Sequence, residues 1–185
     1  MSPDVPVTGT ERGLELAPAP VVVVCPPLSP GEPQPGWVRR VDDLAAEGVV
    51  LVRPSSEGPD LARWVGHVAN AITLSAPTGP LLVVAAGASL RALPPLGVAM
   101  RSRRRSITGY VLVDADPAAP MESGDDWPGA PVTYVGTGGS AGDGWRIAGL
   151  RGWIRVAGDP VAGIRMAGGL ISGSLLSSQD TSGEG

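Results

Sequence analysis

The chain has 185 residues, 43% of them hydrophobic, and is therefore long enough for one domain with a substantial apolar core. Its formal net charge of −4 at pH 7 excludes a general attraction to nucleic-acid phosphates. All 14 basic residues are arginine, and Lys and Phe are absent, a bias typical of GC-rich coding as in many actinobacteria.

The two ends of the chain are expected to be flexible tails. Residues 1–20 are rich in proline and lack hydrophobic periodicity, and residues 177–185 are small and polar. The first segment has no basic region followed by an apolar one, so it is not a secretory signal, and no apolar run is long enough to span a membrane. The single cysteine, Cys25, excludes an internal disulfide. We therefore expect a cytoplasmic protein with one domain over residues 21–176.

Short apolar runs alternate with amphipathic stretches through that domain. Strands are predicted at Val21–Cys25, which is expected to be buried on both faces, and at Val49–Arg53, Leu81–Ala86, Gly109–Asp114, Pro131–Gly136 and Gly152–Gly158. Helices are predicted at Gly36–Gly48, Asp60–Ile72, Ser89 to about Arg103 and Pro160 to about Ser177. This order predicts an α/β class, with three α/β/α layers around a mostly parallel sheet of about six strands. Ligands of such sheets bind beyond the carboxyl ends of the strands.

Hydrophobic spacing defines the inner faces of the first two helices. The first helix is expected to bury Trp37, Val38, Val41, Leu44 and Ala45, and the second to bury Leu61, Trp64, Val65, Val68 and Ile72. Four arginines, Arg101, Arg103, Arg104 and Arg105, crowd the end of the third helix. Their positive charge there favours the helix dipole, and the alternative is an anion- or partner-binding site.

Several motifs occur in the order found in the α/β-hydrolase family. "VVVVCPPLS" resembles its first core strand and oxyanion-hole loop, "GASLRA" occupies the place of its nucleophile elbow, and "GYVLVDADP" and "DWPGAPVTYVGT" are similar to its following strands. The resemblance covers about Val21 to Leu176. It implies a hydrolase-like fold with Ser89 at the nucleophile position.

Ser89 departs from the family's pattern and has two interpretations. The family's elbow is G-x-S-x-G, and here Gly87 and Ser89 match, but Arg91 replaces the second glycine. Arg91 therefore requires an altered turn or a side chain that points outward. Ser89 is either a vestigial nucleophile or a helix N-cap, and the local sequence fits the two interpretations equally well, because serine is a preferred N-cap residue.

The remaining members of a catalytic triad are weak or missing. The loop in which relatives carry the histidine reads Gly158-Asp159-Pro160, and no histidine follows Ser89. Asp159 is expected to cap the last helix, with Pro160 at its first position. The one histidine, His67, lies on the second helix and is expected to be structural. Asp143 is a candidate acid, or else the start of a short helix.

Other chemistries find no support in the sequence, so we predict neither a cofactor nor a metal. The Gly-rich segment Gly136–Gly144 is predicted to be a flexible loop rather than a phosphate loop. Gly169 and Gly173 have the spacing that permits close helix–helix contact, within the fold or between subunits.

The family's usual lid is reduced to Ala118–Ala130, and Trp127 within it is a candidate interface residue unless it packs on its own domain. We expect a non-catalytic binding or accessory subunit with a protein partner, in a bacterial biosynthetic complex. The alternatives are a weak serine esterase that uses Ser89 with an unconventional base, and a small-molecule carrier.

Overall fold

The computed structural model describes residues 20–28, 33–47, 49–54, 60–75, 78–115, 128–139 and 142–179, with side chains up to Gly169. Six strands alternate with four α-helices and two 3₁₀ helices, η1 and η2. In chain order they are β1 (Val21–Val24), η1 (Gly36–Glu47), β2 (Val50–Val52), α1 (Leu61–Ser75), β3 (Leu81–Ala86), η2 (Gly87–Ala92), α2 (Leu93–Ser102), β4 (Ile107–Val113), β5 (Val132–Gly136), α3 (Asp143–Leu150), β6 (Ile154–Ala157) and α4 (Pro160–Gln179).

The six strands form one sheet in the order β2-β1-β3-β4-β5-β6. Every neighbouring pair is parallel; Val23, for example, lies opposite Val52 on one side and Val83 on the other. The predicted α/β class with a parallel sheet is therefore confirmed. The chain leaves β1 toward β2 and later returns as β3 on the other side of β1, so the order reverses between β1 and β3. Ligands bind at such a switch point, outside the carboxyl ends of the strands.

Both faces of the inner strands β1, β3, β4 and β5 are largely buried, and their successive residues point to opposite sides of the sheet. The edge strand β6 is mostly exposed, so the predicted strand at Gly152–Gly158 lies at the rim of the core. Val21 and Val23 pack with α1, α2 and α3 in one apolar cluster. Val22 and Val24 pack with η1 and α4 in a second cluster on the other face. The two clusters confirm the three-layer arrangement.

The first predicted helix is a 3₁₀ helix, and its period changes which residues are buried. With three residues per turn, Val38, Val41 and Leu44 line up along one face, and all three are buried. Trp37 lies beside them and is also buried, whereas Ala45 is exposed. The prediction for Ala45 was wrong because it assumed the 3.6-residue period of an α-helix.

The second predicted helix, α1, buries four of its five expected residues, together with Ala69. Leu61 is the exception, since it is the first residue of the helix and stays 40% exposed. The prediction that Leu61 belongs to the buried face was therefore wrong.

Helix α2 ends in a C-terminal cap formed by the backbone N–H groups of Arg104 and Arg105. The Arg104 N–H donates to the carbonyl of Arg101 at 2.9 Å, and the Arg105 N–H donates to that of Met100 at 3.0 Å. This is the Schellman pattern, in which the residue at the Arg104 position adopts a left-handed conformation and is usually glycine. Arg104 has φ of 56°, a conformation that costs a residue with a side chain about 1–2 kcal/mol.

Helix α4 is tied to η1 by two exposed ion pairs. Arg165 donates to both carboxylate oxygens of Glu47, with Nε 3.0 Å from each. These hydrogen bonds hold the pKa of Glu47 below its ordinary value. Arg40 pairs with Asp159 at 2.9 Å, directly before the helix begins. The helix and the 3₁₀ helix on this face of the sheet are therefore joined by charge as well as by apolar packing.

The last helix begins as predicted and ends slightly later. Pro160 is its first residue, and the Asp159 carboxylate accepts the Val161 N–H at 3.2 Å, which confirms the predicted cap. It continues to Gln179, so residues 177–179 of the segment assigned to the C-terminal tail are helical. Residues 1–19 and 180–185 lie outside the described residues, and their assignment as tails stays a prediction. No described helix has the length and apolar character needed to cross a membrane.

Close approach between α4 and the sheet depends on Gly163. A Cβ atom at this buried position would lie 2.5 Å from Cγ2 of Val135 in β5. Gly169, which the sequence pointed to as a close-contact glycine, is exposed and has open space around its Cα. The surroundings of Gly173 lie outside the part of the helix whose side chains are described.

We predict that Gly163→Ala lowers the free energy of unfolding by about 1–2 kcal/mol. Overpacking against Val135 costs about 1–3 kcal/mol, and the better helix propensity of alanine offsets up to about 1 kcal/mol of it. Gly169→Ala is the matched control and should raise stability, because it gains propensity without a clash. Urea denaturation of the two variants measures both effects, and equal stabilisation by both would contradict the close approach.

Candidate functional site

A cavity of about 290 Å³ lies at the carboxyl edge of the sheet. Residues that follow β1 and β3, including Cys25, Pro27 and Ser89, line it where the strand order reverses. Asp114 after β4 and Thr137 after β5 complete its polar side. Its apolar wall comes from the start of η1 and the loop before it, and consists of Pro35, Trp37 and Val38, with Gln34 beside them.

Ser89 borders this cavity, but its hydroxyl is committed to a structural hydrogen bond. Only 2% of the residue is exposed, and Oγ donates to the carbonyl oxygen of Pro26 at 2.9 Å. Ser89 lies inside η2, and Ala86 precedes this turn without a side-chain cap, so Ser89 is not a helix N-cap. The turn opens at Gly87 with φ of 53°, and Arg91 is exposed. The chain thus accommodates Arg91 with both a 3₁₀ turn and an outward side chain.

The sequence places Asp114 at the carboxyl end of a strand, where ligands bind, but assigns it no role in the site. It follows β4 directly and has φ of 45°, which aspartate tolerates better than most residues. Its carboxylate accepts the Thr137 N–H at 2.9 Å and also the Thr137 hydroxyl. It therefore joins the ends of β4 and β5 beside the cavity. The available signal was its position, an acid immediately after a buried strand.

The loop that the family resemblance assigns to a catalytic histidine is a helix start. Gly158 has φ of 108°, Asp159 caps α4 and pairs with Arg40, and Pro160 is buried. A buried proline ring offers no group that accepts a proton. The Asp159 carboxylate is already occupied by a backbone N–H and a guanidinium. This loop therefore provides structure, and none of its three residues lines the cavity.

His67 and Asp143 are not brought to Ser89. His67 is half-buried on α1 and does not line the cavity. Asp143 is the first residue of α3, is exposed, and lies 3.4 Å from the guanidinium of Arg146. Asp143 lines a separate, shallow depression on the other side of Asp114. Within the described ranges, no titratable side chain is hydrogen-bonded to the Ser89 hydroxyl.

Cys25 is the second potential nucleophile in the cavity wall. It is half-buried at the end of β1, where its N–H donates to the Val84 carbonyl at 2.8 Å. Burial raises the pKa of the Cys25 thiol to about 12. Because the thiolate is the reactive form, this environment keeps the sulfur protonated and unreactive at neutral pH.

Two features discussed from the sequence fall partly or wholly outside the described residues. Trp127 and the other residues from 118 to 127 of the shortened lid segment are not among them, so the interface role of Trp127 stays a prediction. Among the residues that are described, no three His, Cys, Asp or Glu side chains cluster as metal ligands would.

The comparisons with known proteins bear on the fold alone. No protein-family model matches the sequence, and comparison with curated proteins finds no match. A solved structure of a Xanthomonas campestris protein assigned to the α/β hydrolase superfamily is similar, with a TM-score of 0.51 and 12% sequence identity. The match covers 86% of this chain and 99% of that chain. The α/β-hydrolase-like fold is therefore confirmed, and at this identity the likeness carries no statement about activity.

We predict that Cys25 is alkylated slowly in the native protein. At pH 8.5 its thiolate fraction should be about 1,000-fold below that of a thiol with the ordinary pKa of 9.0, since the two pKa values differ by about three. The greater nucleophilicity of a less acidic thiolate offsets part of this, leaving a rate about 30-fold lower. Iodoacetamide labelling with and without urea, read by mass spectrometry, measures the difference on the single cysteine.

The raised pKa of Cys25 also predicts how the stability of the fold and the rate of Cys25 labelling change with pH. The folded-state pKa is raised, so Cys25 contributes stability below pH 9 that is lost as the pH rises toward 12. The native labelling rate should therefore keep increasing through about pH 11. A plateau near pH 9 would contradict the assignment of Cys25 to a desolvated site.

Proposed function

We propose that this protein is a non-catalytic binding protein on an α/β-hydrolase-like fold, acting as an accessory subunit for a protein partner in a bacterial biosynthetic complex. The observation that carries the proposal is the state of Ser89. Its hydroxyl proton is donated to the Pro26 carbonyl within a buried turn. A residue at the nucleophile position therefore holds two loops together.

The chemistry of acyl transfer explains why the hydrogen bond from Ser89 to Pro26 bears on function. A serine hydroxyl is a weak nucleophile until an adjacent base accepts its proton. A peptide carbonyl cannot take that proton at neutral pH, and Pro160 stands where relatives place histidine. The Asp114 carboxylate is engaged by Thr137 through two hydrogen bonds. These arrangements support a binding role over hydrolysis.

The cavity supports a second candidate function, the carriage of a small molecule. Its volume of about 290 Å³ is at the lower end of the range for ligand pockets. It combines an apolar wall that contains Trp37 with a polar side that contains Asp114 and Thr137. The apolar wall suits an apolar group of a ligand, and the polar side suits the polar groups that orient that ligand.

Exposed apolar side chains support the proposal that the protein binds a protein partner. Leu150 at the end of α3 is 77% exposed, and Ile154 at the start of the edge strand β6 is 39% exposed. Leu150 and Ile154 flank the short turn between α3 and β6, and burial of such side chains against a partner is favourable. Trp127 is the candidate anchor for the partner, because tryptophan is enriched among residues that dominate binding.

We predict that Ser89→Ala lowers stability and leaves hydrolysis unchanged. Removing the hydroxyl deprives the buried Pro26 carbonyl of its donor, which costs about 1–2 kcal/mol. Turnover of p-nitrophenyl acetate should stay at background in both the native protein and the variant. Ser102→Ala is the control, since its hydroxyl also donates to a carbonyl but is exposed, and it should change stability by less than about 0.5 kcal/mol.

A fluorophosphonate probe separates the proposal from the esterase alternative. Such probes react with activated serines, so Ser89 should remain unlabelled. Stoichiometric labelling that Ser89→Ala abolishes would overturn the non-catalytic assignment and establish a hydrolase with an unconventional base.

We predict that Trp127→Ala weakens a pull-down from the native host while shifting the melting temperature little. Leu74→Ala is a matched control, because Leu74 is apolar and 86% exposed at the end of α1. It should leave the pull-down intact. A native protein that stays monomeric at high concentration and recovers no partner, together with a loss of several degrees on Trp127→Ala, would place Trp127 in its own domain.

A further inference from the structure

A second depression lies at the opposite, amino-terminal edge of the sheet. It has a volume of about 430 Å³ and is lined by Thr78, Gly79 and Pro80 on one side and Arg104, Arg105 and Ser106 on the other, with Thr108 of β4 also in its lining. We call it the arginine groove. The segments that form it enter β3 and β4, whereas the cavity beside Ser89 lies where those strands end.

The arginine groove adjoins the strongest concentration of positive charge in an acidic protein. Four of the five residues from position 101 to 105 are arginine, although the chain carries a net charge of −4. Over the described ranges, four arginines form ion pairs, and Arg101, Arg103 and Arg104 are not among them. The helix dipole accounts for some positive charge at this end of α2. It does not require a fourth arginine in a strained position.

Arg104 is that strained residue. It occupies the left-handed position of the Schellman cap, with φ of 56°, where glycine would adopt the same backbone without strain. Strained backbone persists only where the surrounding structure holds it, and such residues cluster at functional sites. The conformation places an exposed guanidinium in the lining of the groove.

The other groups of the arginine groove suit an oxyanion. The Arg105 guanidinium reaches across to the Gly79 carbonyl, with 3.3 Å between Nη2 and O. The Thr108 hydroxyl donates its one proton to the Leu81 carbonyl at 2.9 Å, so it fixes the wall of the groove and leaves contact with an anion to the other groups. Thr78 and Ser106 are exposed and add hydroxyl donors. Guanidinium groups beside hydroxyls recognise phosphate through charge-assisted, often bidentate hydrogen bonds.

We propose that the arginine groove binds a phosphate monoester of a small organic molecule, with Arg104 as the principal contact to the phosphate. The volume of the groove falls within the range of small-molecule sites, which leaves room for an organic group beside the phosphate. This site goes beyond the proposed accessory role, and it lies at the other edge of the sheet from the residues on which that role depends.

The test is calorimetric titration of the full chain with phenyl phosphate at low ionic strength, beside inorganic phosphate and benzoate. Phenyl phosphate should show saturable binding that is at least about ten-fold tighter than that of benzoate, because a dianion engages two guanidinium charges. Binding of inorganic phosphate as tight as that of phenyl phosphate would overturn the organic part of the ligand. No saturable binding of either phosphate would overturn the proposal.

Arg104→Gly separates binding from folding. It removes the guanidinium and the backbone strain together, so the melting temperature should rise by about 2–4 °C. Phenyl phosphate affinity should fall at least about ten-fold in the same variant. Arg91→Ala is the control, since Arg91 is an exposed arginine at the other end of this helical segment, and it should bind phenyl phosphate like the native protein. Unchanged affinity in Arg104→Gly, or an equal loss in Arg91→Ala, would contradict the site.

Discussion

Burial of the inner strands of the sheet on both faces is the constraint from which the rest of the structure follows. Alternate residues of β1 enter two different apolar clusters, so helices must cover each side. Parallel strands need crossover connections, which usually carry a helix. The connections after β1 and β3 go to opposite sides of β1, and the space between them is the cavity lined by Cys25 and Ser89.

At the carboxyl edge of this hydrolase-like fold, several polar residues have structural contacts. Ser89 hydrogen-bonds a carbonyl, Asp159 and Pro160 start a helix, and Asp114 fastens the loop after β5. Each of these residues stabilises the carboxyl edge of the sheet. An edge fixed in this way retains a cavity lined by Ser89 and Asp114, and the proposed binding role rests on that arrangement.

Local pattern was enough to predict the six strands and the start of α4, because both depend on neighbours in the chain. It failed where the role of a residue depends on a contact with a residue far away in the sequence. The role of the Ser89 hydroxyl depends on Pro26, 63 positions earlier, and no local motif distinguishes that contact from a nucleophile or a cap. The exposure of Ala45 depends on a 3₁₀ period that the composition does not reveal. Asp114 was visible as an acid after a strand, but its bond to Thr137 was not.

The lengths of the strands have a consequence for how the molecule behaves at high concentration. The central strands β3 and β4 have six and seven residues, whereas the outer strands β2 and β6 have three and four. A short outer strand offers few backbone groups to a foreign strand, and the charged Arg155 on β6 discourages one further. The sheet is therefore a poor template for growth into fibres, and contacts with other molecules at this edge must come from side chains.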